Sequence, residues 1–504
     1  MRATALVLVL GLAACGERLG TAEQSDGSLL LDTGDPGEQT LLSEVRALPF
    51  KDVVWEYKFN DRRISRMTLA GDQLFCETPE YQVIAMDRFR GVVQWIFKVD
   101  SETPLDWAPV VADGVPEEIG RLENDLRLIN RQIDDKMKET GPGKETQALQ
   151  KKRAEIREQL RVAAFGDNVY FISRQVLYCL DRLNGGLRWT HRLNFIPSAQ
   201  PFAIRSYVFI PGAERARVWV CDVDNKGQEK TYYKSDITNR DNHILNRAIY
   251  SAPSLFFSCH DGRVYSFNVD SGNLTWAYPT ERALRSEPLI HVYRHSEDLK
   301  SAEPPPKAKP AMAAEGAAPA PGAAPAPAPA MGAPPAGQDK KAAKSAATTR
   351  FLFVGGTDNA FYALDADSGA IVWKYECAGE IQSTAIAKDS TVYVRTEEGA
   401  LHAFEILPMH RDPKTNAAVG PKRNGNLRWK LPLGDRFLLK GRERVYVMGP
   451  RGEIHAMDEM SGKTMGRYPT QYLNHIMSNP VDQLFYAANG AGYVFCLRES
   501  KQDY

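Results

Sequence analysis

The 504-residue sequence predicts an all-β fold, an eight-bladed β-propeller that carries an inserted α-helical hairpin and a disordered Pro/Ala loop. Three observations predict it. An Asp-x-x-x-Gly-x-x-x-Trp pattern recurs along the chain. Alternating apolar strands precede the copies, as strands with two different faces require. With a tether and two insertions set aside, about 370 residues remain, or roughly 46 per copy, which is inside the usual period of propeller blades.

The pattern keeps identical four-residue steps in Asp87-Gly91-Trp95, Asp181-Gly185-Trp189 and Asp365-Gly369-Trp373. Two further copies vary the acid. Gly272-Trp276 has Asn268 in the Asp place, and an insertion separates Gly425-Trp429 from Phe404-Glu405. A degenerate copy has Asp458 and Gly462 but Gly466 where Trp is expected. The residue types suit architecture rather than chemistry. Glycine supplies the positive backbone angle of a tight turn, aspartate bonds turn amides, and tryptophan is large enough to fill the wedge between adjacent sheets.

Strand pairs beginning near Leu74, Val169, Val208, Leu255, Leu352, Val392, Val445 and Leu484 give eight copies. The copy near Val208 has Val218-Trp219-Val220-Cys221-Asp222 but no closing Trp, so seven blades is the alternative if it is only a loop. The last copy ends at Phe495-Cys496-Leu497 with no Gly-x-x-x-Trp after it. Trp55, in Val53-Val54-Trp55-Glu56-Tyr57, has no strand pair before it. An N-terminal strand carrying Trp55 is therefore expected to finish the blade opened by 484–497 and close the ring without an exposed edge.

The N-terminus reads as an export signal. Arg2 gives a positive start, Ala5 to Leu12 is apolar, and Leu12-Ala13-Ala14-Cys15 follows. The apolar run is far shorter than the roughly 20 residues of a spanning helix. Small residues directly before a cysteine resemble the bacterial lipobox, which implies cleavage after residue 14, acylation of Cys15 and anchoring to a lipid bilayer. By resemblance to Gram-negative lipoproteins, Gly16 rather than an acid at the next position implies sorting to the outer membrane. Residues 15–43 are expected to be a flexible tether and 44–504 a single propeller.

Two insertions are expected between repeats, 116–162 between the first and second and 303–346 between the fourth and fifth. In 116–162, Ile119, Leu122, Leu126, Ile129, Ile133 and Met137 recur at helical spacing, Gly141-Pro142-Gly143 stops the run, and a second helix carries Leu149, Ile156 and Leu160. This predicts an antiparallel hairpin projecting from one face, with Leu128 beside Ile129 as a candidate partner contact. Residues 303–346 are Pro/Ala low-complexity and cannot build a core. A further insertion runs from Leu407 to Gly425.

Composition and motifs narrow the function. With 63 Lys+Arg against 63 Asp+Glu there is no basic surplus for nucleic acid. Cys76, Cys179, Cys221, Cys259, Cys377 and Cys496 are scattered without a Cys-x-x-Cys, and the nine histidines form no His-Glu-x-x-His. No catalytic set and no metal site emerges, so a non-enzyme is favoured.

The stretch Val354 to Trp373 resembles the pyrroloquinoline-quinone (PQQ) propeller repeat of quinoproteins. That resemblance admits an enzyme, a quinoprotein dehydrogenase holding PQQ and calcium in the channel over a Trp floor, but those enzymes have adjacent cysteines and no two cysteines adjoin here. The combination of lipobox, tether and blade count resembles more closely the lipoprotein scaffold subunits of the outer-membrane β-barrel assembly machine. It implies no cofactor, a place on the periplasmic face of the outer membrane, and partners among the assembly proteins. An envelope propeller with another partner is the third reading.

Overall fold

In the computed structural model, residues 36–499 are described apart from 295–347 and short stretches at 60–61, 101, 114–115, 140–142, 205–206, 214–216, 235–242, 245, 382, 412–417 and 443. Eight antiparallel four-stranded sheets follow one another along the chain. The first strands of neighbouring sheets touch, as Phe202–Ile204 touches both Val110–Asp113 and Ile249–Ser251, and later strands step outward from them. Eight blades therefore surround a channel. The weak copy is a full blade, built from Phe202–Ile204, Tyr207–Pro211, Arg217–Asp222 and Gln228–Lys234.

Strand alternation explains why the blades need each other. In the second strand of blade 5, Phe351 and Phe353 pack toward blade 6, while Leu352 and Val354 pack toward blade 4. Every seam between neighbouring blades encloses its own apolar cluster, and a ninth lies within the helical hairpin. The core is thus a ring of seams rather than one centre.

Closure follows the expected route. The strand Asp52–Lys58 pairs antiparallel with Tyr493–Arg498, placing Trp55 opposite Cys496 and making the N-terminal strand the outermost of blade 8.

Three expectations are corrected. The region expected to be tether to residue 43 contains a helix from Pro36, α1 (Pro36–Ala47). Its Leu41, Leu42 and Val45, with Leu48 and Phe50 beyond it, bury against blades 7 and 8, and the Glu44 carboxylate accepts the amides of Gln471, Tyr472 and Leu473. Barely more than one turn of apolar period is visible there, because tertiary packing supplies what a short helix lacks. Residues 1–35, with Cys15, lie outside the described residues.

The insertions also sit inside blades rather than between them. Helices α2 (Pro116–Glu139) and α3 (Lys144–Ala163) join the first strand of blade 2, Val110–Asp113, to its second, Phe165–Ser173. The Pro/Ala segment falls within 295–347, outside the described residues, and joins the first and second strands of blade 5, where Arg294 pairs with Thr348. Five of the eight first strands have four residues or fewer, down to His475–Ile476 in blade 8, and strands that short leave little alternation to read in the sequence.

Candidate docking face

The repeat residues form locks between blades. The indole of Trp95 donates to the carbonyl of Arg182 at 2.7 Å, one residue past Asp181 in the next blade. Trp276 reaches Ala366, Trp373 reaches Ile406, and Trp429 reaches Glu459 in the same way, each one residue past Asp365, Glu405 or Asp458. A methyl at Gly91, Gly185, Gly369, Gly425 or Gly462 would lie closer than 3.0 Å to the tryptophan of the preceding blade. The glycine is therefore needed for close approach as well as for φ, which is +68° at Gly91 and Gly272. Gly425, after an insertion, keeps only the first requirement. Trp189 packs on Gly227 of blade 3. Asp87, Asp181 and Asp365 each accept two turn amides, at 2.8 to 3.2 Å.

Two positions lack the lock. Thr231 holds the Trp register place in blade 3, opposite Val220. Gly466 holds it in blade 7, where the reason is visible: blade 8 takes its outer strand from the N-terminus, so no turn joins its third and fourth strands for a tryptophan to cover. The α1 segment fills that seam instead, with Phe50 stacked on Phe485 at 4.4 Å.

Sequence reasoning missed a buried ion pair. Arg182 is fully buried, donates to Gly166 O at 2.8 Å and to the Asp72 carboxylate, and so ties the outer turn of blade 2 to the inner turn of blade 1. Arg88 and Asp482 repeat the arrangement between blades 1 and 8 at 3.2 Å. The residue after the repeat Asp was the available signal. The residues facing the indoles, such as Ala85, Cys179, Ser266, Ala363 and Ala403, are small, which was legible only once register was known.

Connectivity separates two faces. In antiparallel blades, the turns from first to second and from third to fourth strands lie on one face, and the remaining connections lie on the other. The hairpin of blade 2 and the 295–347 segment of blade 5 are first-to-second connections. The 407–425 insertion forms a two-stranded ribbon, Met409–Arg411 with Ala418–Pro421, between the third and fourth strands of blade 6. All three insertions therefore leave from one face. The α2–α3 seam is Leu122, Ile129, Ile133 and Ile156. Leu128 and Met137 are exposed but lie about half a turn apart around α2, so no continuous apolar stripe forms.

The Trp floor that the quinoprotein resemblance implies has no counterpart among the described residues. The repeat tryptophans sit in outermost strands against the next blade's turn, while Trp107 packs in the seam of blades 2 and 3 and Trp219 stacks on Phe195. None is left to floor the channel. Among the described residues no group of three or more His, Cys, Asp or Glu could hold a metal ion. The six cysteines from Cys76 to Cys496 are free and buried, and desolvation pushes Cys76, Cys179, Cys221 and Cys377 up to about 12.

The profile of the family described as outer membrane protein assembly factor BamB matches residues 326–411, which include the last three strands of blade 5 and the first three of blade 6. The crystal structure of BamB from Moraxella catarrhalis matches 89% of this chain and 99% of its own, at 11% identity and a TM-score of 0.50. This chain is an eight-bladed propeller that resembles the BamB family over residues 326–411. The computationally designed Ika8 protein also matches, at 9% identity over 87% of this chain and 97% of its own, with a TM-score of 0.45. No curated protein matches in sequence.

Proposed function

We propose that this chain is a lipid-anchored scaffold of the bacterial cell envelope, held at the periplasmic face of the outer membrane through acylated Cys15. It acts without cofactor, presenting one propeller face to partner proteins in outer-membrane β-barrel assembly. The observation that carries the reading is that the strand ends flanking all three insertions lie on one face of a closed ring, since a rigid ring offers recognition mainly through its loops. Val92, Leu183, Met460 and Val481, large apolar side chains 47 to 70% exposed, lie on turns of that same face. The likeness to BamB, an outer membrane protein assembly factor, supports the choice of process.

The test is affinity capture from solubilised envelopes with the whole chain and with a variant lacking 117–161. The whole chain should recover a barrel-assembly subunit, and the variant, still a folded ring, should recover less. Equal recovery makes the hairpin a decoration, and recovery by neither form overturns the scaffold reading. Mass spectrometry of the mature N-terminus checks acylation separately: a chain beginning anywhere but Cys15 removes the anchor.

A further inference from the structure

We propose that the channel mouth on the insertion face binds the C-terminal carboxylate of an extended, apolar peptide segment. The site is a cavity of about 610 Å³ lined by His291, Val292 and Tyr293 of blade 5, Lys388 and Asp389 of blade 6, and Val481 of blade 8, among others. That volume falls within the range of ordinary ligand pockets.

Charge pairing singles out Lys388. Asp389 bonds the Lys440 ammonium at 2.7 Å, and the same ammonium holds Glu459 at 2.7 Å. Arg428 is engaged by Ser390 and Thr391. Lys388 donates to the carbonyl of Val481 at 3.2 Å and, among the described residues, makes no direct ion pair, although its charge also acts on the neighbouring Asp389 carboxylate, which is itself held by Lys440. An ammonium has three donors, so two remain for an incoming anion. Val292 and Val481, 50% and 70% exposed, put aliphatic surface on the same rim. An anion attached to an apolar group satisfies both features.

A peptide end fits better than a fatty acid. The rim offers hydrogen-bonding groups that a hydrocarbon tail leaves unused: the Ser390 hydroxyl, which accepts from Arg428 and keeps its own proton to donate, and the His291 ring, which contacts the Asp389 carbonyl at 3.2 Å. The site needs neither the acyl anchor nor the partner proposed above, so its test is independent of that reading.

Fluorescence anisotropy of a labelled, alanine-rich hexapeptide ending in leucine measures binding to the full chain. The free acid should bind at least about tenfold more tightly than the C-terminal amide, because a charge-assisted hydrogen bond is lost in the amide. Lys388→Gln should erase that preference and Lys388→Arg should keep it, with both variants melting as the parent does. Equal binding of acid and amide overturns the proposal, as does an unchanged preference in Lys388→Gln. Decanoate binding as tightly as the peptide also overturns it. So does peptide binding that appears only in a chain lacking 303–346, which would make the cavity the seat of that segment.

Discussion

The indole N–H of Trp55 donates to the carbonyl of Arg88 at 2.9 Å, joining the strand that completes blade 8 to the outer turn of blade 1. The Tyr486 hydroxyl reaches the same carbonyl at 3.1 Å, and Arg88 itself pairs with Asp482 of blade 8. Ring closure therefore depends on one turn held from three sides. Trp55→Ala should destabilise the protein by about 3–5 kcal/mol, and Trp55→Phe, which keeps most of the ring, by less. Urea unfolding of the two variants measures the difference, and equal losses would mean that the buried ring area is not what matters.

Glu44 gathers three backbone amides at the link between blades 7 and 8. Glu44→Ala removes their acceptor and should cost about 1–3 kcal/mol. Hydrogen exchange should quicken first at 471–476 and in Leu484–Ala488, leaving the opposite side of the ring protected. Uniform quickening around the ring would show that α1 does not act on its own seam.

The Asp72–Arg182 pair is buried on both sides. Asp72→Asn or Arg182→Met alone should cost about 3–5 kcal/mol, because each leaves a buried polar group without its counterpart. The double variant Asp72→Leu with Arg182→Met should recover part of the loss. A double-mutant cycle on thermal unfolding tests this, and additive losses would show that the two residues do not act as a pair.

Burial, and then the Lys430 charge, hold His402 below its ordinary value of 6.5, with Glu398 pulling the other way. His291 is lowered by burial too. Below 6.5 the unfolded chain takes up protons that the folded chain resists, so stability is full above that value and declines as pH falls through it. Urea midpoints at about pH 7.5 and about pH 5.5 should show the drop, and His402→Gln should reduce it. An identical drop in that variant would assign the effect elsewhere.

Much of the fold was legible because the chain repeats one local solution. Asp-x-x-x-Gly is a turn that its own residues build, and Trp four positions on marks the outer strand, so Asp181, Gly185 and Trp189 carried their meaning in the linear order. The unpaired Trp55 at one end and the unfinished strand pair at the other even predicted closure, since an unpaired edge is costly wherever it occurs.

The tertiary structure decided what depends on groups far apart in the chain. Leu41, Leu42 and Val45 gave too few apolar positions to announce a helix, and only the groove between blades 7 and 8 makes that helix worth forming. Gly466 looked like decay of the repeat until the missing turn of blade 8 explained it. Arg182 and Asp72 are 110 positions apart, and nothing local links a cation in one turn to an acid in another. The common face of the three insertions was hidden for a related reason. A loop's face is set by which strands it joins, and the short inner strands, Val110–Asp113 among them, owe their place to hydrogen bonds from the rest of the ring rather than to their own few residues.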